Sequence, residues 1–334
     1  MKRILLLTTG GTIASQAGAH GLAPAIAGGE MLQMLPELSD LCQVETRELL
    51  RLDSTNIQPE EWLHMARHVY AVLDDYDGIV IAHGTDTMAY SAAALSYMLQ
   101  NLDKPVVLTG SQQTLNAENS DGLRNLYDAF VVAVANRPGV YVVFAGKIIR
   151  GCRAVKVRTQ GTEAFFSINA PLAGVVTDNS ITWHDAPPPS SRSPRSLAAY
   201  CQSRVMLLKL APGLEPNIIE AAIILGYRGF VVEGYGAGNV TVMRRDIASA
   251  LAQAIRGGVA VAITSQCLLE ASDMSLYEPG LVMQAAGAIP AYDMTTEALY
   301  AKLCWALGQS EDLAAISEIM AQNIAGEVSD QEGY

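Results

Sequence analysis

Short, mostly apolar runs that alternate with amphipathic stretches are the pattern that most narrows the fold. The runs lie at residues 4–8, 78–82, 105–109 and 140–144, with helical patterns such as 59–73 and 88–100 between them. Strands apolar on both faces must be covered on both faces, and their alternation with helices predicts a mostly parallel sheet in an α/β layer architecture. The pattern breaks at Ala186-Pro187-Pro188-Pro189-Ser190-Ser191-Arg192-Ser193-Pro194, whose proline and serine density reads as an exposed linker. The alternation then resumes on a smaller scale. Strands are expected at 205–210, 229–233 and 259–264, and helices at 216–225, 244–256 and 295–307. The expected organisation is a larger N-terminal α/β domain over 1–186, a linker over 187–203 and a smaller C-terminal α/β domain over 204–334. No short-period repeat of the solenoid kind is present.

Two of the strands break into hydroxyl-bearing turns. The first leads into Thr8-Thr9-Gly10-Gly11-Thr12, the second into His83-Gly84-Thr85-Asp86-Thr87. Glycines let a backbone turn sharply and approach a ligand closely. A threonine hydroxyl there can attack a carbonyl if a base takes its proton. Each turn has a plain structural reading too: Thr12 as a satisfied strand-end residue, and Asp86 as the cap of the helix expected from about Met88.

Other candidates are ambiguous when read locally. Lys156 ends the run Arg150-Gly151-Cys152-Arg153-Ala154-Val155-Lys156, which reads as a solvated basic surface, although a desolvated lysine can serve as a base toward a hydroxyl. Asp53-Ser54-Thr55 precedes a helix and fits either capping or ligand contact. His64 and His68 stand four apart, a spacing that can bind metal, but no HExxH glutamate accompanies them, so they read as surface histidines. Gly234-Tyr235-Gly236-Ala237-Gly238-Asn239 has GxGxG spacing instead of the GxGxxG of a dinucleotide loop, which argues against a nicotinamide or flavin enzyme.

Of the 334 residues, 50% are hydrophobic and only 17% charged, too few charges to cover a monomer's surface, so subunit contacts are expected. The net charge of −12, without a basic stripe, argues against a nucleic-acid partner. No segment is apolar for long enough to span a bilayer. The start, Met1-Lys2-Arg3-Ile4-Leu5-Leu6-Leu7, imitates a signal peptide, but Thr8 to Thr12 end the apolar run short of the roughly 7–15 residues of an h-region. Cys42, Cys152, Cys201, Cys267 and Cys304 form no CxxC pair and read as buried thiols of a reducing cytoplasm.

Thr9-Gly10-Gly11-Thr12-Ile13-Ala14-Ser15 and His83-Gly84-Thr85-Asp86-Thr87-Met88-Ala89-Tyr90 resemble the two signatures of the bacterial-type L-asparaginases. Asp53-Ser54-Thr55, Leu108-Thr109-Gly110-Ser111-Gln112, Arg150 to Lys156, Gly236-Ala237-Gly238-Asn239 and Tyr292-Asp293-Met294-Thr295-Thr296-Glu297-Ala298 stand in that family's order along nearly the whole chain. The missing signal peptide resembles the cytoplasmic, type I branch. The resemblance implies a two-domain α/β fold with its site at the C-terminal ends of parallel strands, and a homodimer or dimer of dimers. It implies hydrolysis of L-asparagine to L-aspartate and ammonia with no cofactor and no metal. It assigns Thr12 as nucleophile, Thr85, Asp86 and Lys156 as a second catalytic group, and Ser54, Thr55 and Asp86 to the substrate's α-carboxylate and α-amino group. Asn239 would come from the neighbouring subunit, and backbone N–H groups near Thr12 and Thr85 would form an oxyanion hole.

Two departures from that family matter. Its N-terminal loop usually brings a tyrosine over the nucleophile, and here Gly21-Leu22-Ala23-Pro24 puts Leu22 at that place. Allosteric type I members bind effector asparagine near a cysteine and a threonine; Cys267 matches the cysteine, while Val155 stands where the threonine is expected. Competing expectations are a broader glutaminase-asparaginase, an amidotransferase component serving a tRNA-bound substrate, and a non-catalytic amino-acid binding protein. The amidotransferase carries an additional N-terminal domain, which Thr12's position so near the start argues against.

Overall fold

A computed structural model of the protein describes residues 1–18, 21–24, 26–185 and 193–329. The chain divides into two compact units, Met1–Ala199 and Tyr200–Tyr334. Most of the proline-rich stretch, residues 186–192, lies outside the described residues.

The first unit is built on an 8-stranded sheet. Its strands are β1 (Arg3–Gly10), β2 (Gln43–Leu52), β3 (Gly78–Ala82), β4 (Pro105–Thr109), β5 (Gly139–Phe144), β6 (Lys147–Arg150), β7 (Gly174–Thr177) and β8 (Ser180–Trp183). Their order is β8-β7-β6-β5-β4-β3-β1-β2. From β5 to β2 neighbours run parallel. From β5 to β8 they run antiparallel, so the sheet is mixed. Ile4, Leu6, Val80, Ala82, Val107, Tyr141 and Val143 face one core, shared with Leu126, Ala129, Phe130 and Ala133 of helix α3 (Gly122–Val134). The alternate residues Leu5, Leu7, Ile79, Ile81, Val106, Leu108 and Val142 are fully buried on the other face, where α2 (Met88–Met98) meets β4 and β5 and α1 (Pro59–Val72) packs on α2. Burial on both faces is why these strands read as continuous apolar runs.

The expected apolar strands appear within a residue or two of their predicted bounds. The helix expected over 88–100 stops at Met98, because Leu99–Gln100 turns out to pair antiparallel with Ser196–Leu197. Strands β2, β6, β7 and β8 carry no comparable apolar signal. β2 is an edge strand with Glu45, Arg47, Glu48 and Arg51 along it and none of its residues fully buried. The expectation of buried thiols holds for Cys42, Cys152 and Cys304, while Cys201 is half-buried and Cys267 is exposed at the end of a strand-to-turn junction.

The second unit carries a 4-stranded parallel sheet in the order β9 (Val205–Lys209), β10 (Gly229–Gly234), β11 (Ala260–Ser265) and β12 (Ile289–Pro290). Its helices are α4 (Asn217–Ile224), α5 (Ile247–Arg256), α6 (Glu278–Ala285), α7 (Thr296–Leu307) and α8 (Leu313–Ala321). Helix α5 begins at Ile247 and not at 244 because the Asp246 carboxylate accepts from the Ser249 N–H, a side-chain cap that fixes the first turn. Thr295 caps α7 in the same way through the Ala298 N–H. No helix among the described residues is long and apolar enough to cross a membrane.

Candidate active site

Strands β2, β1, β3 and β4 are neighbours and run parallel, so their C-terminal ends open on one edge of the sheet. That edge is where an open α/β sheet offers backbone groups and helix N-termini to a ligand. β2 delivers Ser54 and Thr55, β1 delivers Thr12, β3 delivers Thr85 and Asp86, and β4 delivers Ser111 and Gln112.

The turns after β1 and β3 touch backbone to backbone. Gly11, at φ +77°, lies so close to Gly84 that a Cβ on Gly11 would sit 2.2 Å from the Gly84 Cα. A Cβ on Gly84 would sit 2.6 Å from Ser54 Oγ and 2.9 Å from the Gly11 Cα. Thr9 Oγ1 donates to the Ala82 carbonyl at 3.2 Å and ties the same two strand ends together. Gly11→Ala therefore pushes the turns apart and places alanine at positive φ. Strain of about 1–3 kcal/mol is expected from the backbone alone, and a lowered melting temperature checks it.

Thr85 is buried and sits at the centre of a polar chain. Lys156 Nζ donates to Thr85 Oγ1 at 2.7 Å and to Asp86 Oδ1 at 2.6 Å. Thr85 Oγ1 in turn donates to Gln112 Oε1 at 3.1 Å. Lys156 reaches this place from a short hairpin, Ala154–Lys156 paired antiparallel with Phe165–Ser167, in which Lys156 stands opposite Phe165. Its side chain is mostly shielded, whereas that of Asp86 is about half exposed, at 53%. Read locally, the basic run predicts a solvated surface, yet the lysine is turned inward between a hydroxyl and a carboxylate.

Ser54 is buried, accepts from the Asp86 N–H at 3.2 Å and, through its carbonyl, from Thr87 Oγ1 at 2.7 Å. Thr55 is exposed, and its hydroxyl donates to Asp53 Oδ1 at 2.6 Å. Thr12 opens a single helical turn, Thr12–Ala14, is half-buried, and its hydroxyl has no hydrogen-bond partner among the described residues. Leu22 lies on the hairpin strand Gly21–Pro24, at the register position opposite Ala17.

Two participants escape the sequence reading. Gln112 appears there only as part of a motif. Its Nε2 donates to the Arg158 and Gly161 carbonyls, both at 3.3 Å, which turns its Oε1 toward Thr85. His83 is fully buried beside the second turn, and its Nδ1 donates to the Gly84 carbonyl at 2.6 Å. Burial pulls its pKa down from 6.5 to about 4, against a smaller upward effect of the Gly84 bond. Below pH 6.5 the unfolded chain then takes up a proton that the folded chain does not. Stability is present in full above 6.5 and is lost as pH falls toward 4, by about 3 kcal/mol at about 1.4 kcal/mol per pH unit. Urea unfolding across that range should show the loss, and His83→Leu should flatten it.

The remaining candidates lie elsewhere in the fold. Asn239 closes a tight loop in the second unit, exchanging backbone hydrogen bonds of 2.8 Å with Tyr235, with Gly236 and Gly238 at positive φ. The Cys267 N–H donates to Ser265 Oγ. Val155 stands opposite Phe166 and is buried. His64 is exposed and His68 half-buried on α1, and no group of three or more His, Cys, Asp or Glu among the described residues is placed to hold a metal ion.

Paired threonine turns at parallel strand ends, one joined to a lysine and a carboxylate, bring hydroxyls, an ammonium and a carboxylate to one sheet edge, and similarity to known proteins puts the chain in the amidohydrolase class. The chain belongs to the asparaginase family: residues 3–189 match the family described as Asparaginase, N-terminal, and residues 204–320 the Glutaminase/Asparaginase C-terminal domain. It is 41% identical over 328 residues to an L-asparaginase of Thermococcus kodakarensis, covering 98% of this chain and 99% of that protein. The solved structure of the thermostable L-asparaginase from that organism superposes with a TM-score of 0.93 over 98% of this chain and 99% of that one. L-asparaginase I from Vibrio cholerae superposes with a TM-score of 0.85 at 30% identity, over 98% and 99% of the two chains. The chain is also 36% identical over 338 residues to a component of the glutamyl-tRNA(Gln) amidotransferase of T. kodakarensis, covering 98% of this chain and 76% of that protein.

Proposed function

We propose that this protein is an L-asparaginase that hydrolyses the side-chain amide of L-asparagine to L-aspartate and ammonia. The observation that carries the reading is the Lys156–Thr85–Asp86 group, at 2.7 and 2.6 Å, on a turn whose backbone touches the turn that bears Thr12. In this reading the Thr12 hydroxyl attacks the amide carbon, its proton passes to the departing nitrogen, and the C–N bond breaks to release ammonia. Water then cleaves the Thr12 ester, releasing aspartate and restoring the hydroxyl. Lys156 steadies the proton inventory around Thr85. Asp86, half exposed, pairs with the substrate's α-ammonium. Ser54 Oγ already accepts from the Asp86 N–H, which leaves its own proton to donate to the α-carboxylate beside Thr55.

The proposed organisation keeps a catalytic domain at 1–186, a linker at 187–203 and a domain at 204–334. It adds a second copy of the chain that supplies Asn239, in a homodimer or a dimer of dimers in the cytoplasm, and a candidate effector contact at Cys267. No cofactor takes part in this chemistry.

The similarity to the amidotransferase component supports a second reading, in which glutamine is the ammonia source. Asparagine and glutamine differ by one methylene, a difference worth about 10–200-fold in selectivity. Ammonia release measured with both amides should give the higher kcat/KM for asparagine. A higher value for glutamine would favour the second reading, and no release from either would defeat both.

A further inference from the structure

Beyond the groups already given roles, one buried titratable side chain stands against the second turn with half of its polar capacity unused. His83 is fully shielded from solvent, and its Nε2 has no hydrogen-bond partner among the described residues. Its Nδ1 faces the carbonyl of Gly84 at 2.6 Å. A carbonyl oxygen only accepts, so the proton of a neutral ring sits on Nδ1. The backbone holds the ring in this place. The His83 N–H donates to the Thr109 carbonyl at 2.8 Å, and the His83 carbonyl occupies the space where a Cβ on Gly110 would be, 2.3 Å away.

The Gly84 carbonyl belongs to the same planar unit as the Thr85 N–H. In a trans peptide the two point in opposite directions. A ring bond that fixes the carbonyl therefore fixes the direction of the N–H, and that N–H has no acceptor among the described residues. It lies on the strand-end edge where the turns bearing Thr12 and Thr85 touch through Gly11 and Gly84. A donor held ready at a position where negative charge develops is worth about 100- to 1,000-fold in rate, provided that it does not have to reorient during the reaction.

We infer that His83 is a positioning residue: as the neutral tautomer protonated at Nδ1, it clamps the Gly84–Thr85 peptide so that the Thr85 N–H is pre-aimed at the oxyanion formed on the substrate amide. This rests on the asparagine-hydrolysis reading. It explains why an imidazole with an idle Nε2 occupies a site where an apolar side chain would pack. The ring touches no substrate. Its contribution is to the transition state through the peptide, so it appears in kcat and leaves substrate affinity alone.

The test compares the wild type with His83→Leu, which removes the donor, and His83→Asn, whose amide N–H can reach the position of Nδ1. Expected results are a kcat for asparagine lowered about 10-fold or more in His83→Leu, with KM within about 3-fold of wild type, and recovery of most of the loss in His83→Asn. Thermal melting reads folding separately, and His83→Asn serves as the informative variant if His83→Leu does not fold. Nitrogen-15 spectra of the imidazole should show a ring protonated at Nδ1 between pH 6 and 8. Unchanged kcat in His83→Leu, an equal loss in both variants, or a ring protonated at Nε2 would each overturn the clamp. If the wild type releases no ammonia from asparagine, the hydrolytic reading fails, and the tautomer measurement still decides the ring's bond to Gly84.

Discussion

Thr12→Ala is expected to lower kcat for asparagine by about 1,000-fold or more, and Lys156→Met by about 100- to 10,000-fold, with KM changed far less. The two effects have different causes. In the proposed mechanism, Thr12→Ala removes the atom that forms the bond to carbon. Lys156→Met leaves that atom in place and strips Thr85 Oγ1 and Asp86 Oδ1 of the donor that holds both, at 2.7 and 2.6 Å. Asp86 stays about half exposed, so in the proposed mechanism it can still receive the substrate's ammonium group. Arginine at 156 is not a conservative exchange, because a planar fork cannot replace a compact ammonium between two oxygens. The double variant should be no slower than the worse single one, since residues that act as a unit lose activity together. Steady-state ammonia release by the three variants checks this, and a Thr12→Ala enzyme at full rate would remove Thr12 from the mechanism.

Lys302→Met is expected to cost the second unit about 3–5 kcal/mol. Lys302 on α7 and Glu327 beyond α8 are both completely buried, with 2.6 Å between Nζ and Oε1. Each is further engaged: Lys302 Nζ donates to the Met320 and Gln322 carbonyls, and the Glu327 carboxylate accepts from the Ile324 and Ala325 N–H groups. The lysine thereby closes the end of α8, and the glutamate orders the turn that follows it. Removing the ammonium leaves a carboxylate without its counter-charge in a dry place and frees two carbonyls. The methionine fills most of the volume, so the loss is electrostatic and not a cavity. Denaturant unfolding should show a reduced midpoint, and Lys302→Met combined with Glu327→Leu should recover part of it, because no orphaned charge remains. Equal stability of Lys302→Met and wild type would mean that the pair contributes nothing net.

The parts of the fold that announced themselves are those buried on two faces. Runs such as Ile79-Val80-Ile81, fully buried here, fit only the middle of a covered sheet. β2 stayed hidden because an edge strand needs only one buried neighbour, and its charged residues read as surface. The β7–β8 hairpin carries a local signal of its own: Asp178 and Asn179, at φ +48° and +62°, are the residue types that accept a tight turn with both central residues left-handed. In the site, the two threonine turns were legible as turns, since glycine and hydroxyl spacing is a local property. Lys156 was not, because its inward direction depends on a hairpin partner ten or so residues later and on a turn some seventy residues earlier. Its assignment came through resemblance. Gln112 was invisible for a similar reason: nothing in an amide's sequence neighbours tells which carbonyls will hold its nitrogen.

The lysine and the threonine it serves ride on different pieces of framework. Thr85 is anchored to the central sheet, whereas Lys156 stands on a three-residue strand whose partner Phe165 packs on Phe144 of that sheet, with the Gln112 amide bonded to the Arg158 and Gly161 carbonyls just beyond. A strand so short holds its alignment with few bonds, and a slip of one residue would turn the ammonium to the opposite face. Heat therefore has two targets in this protein. If the hairpin loses its alignment before the central sheet does, activity is expected to fall on warming ahead of melting, which parallel activity and melting curves check.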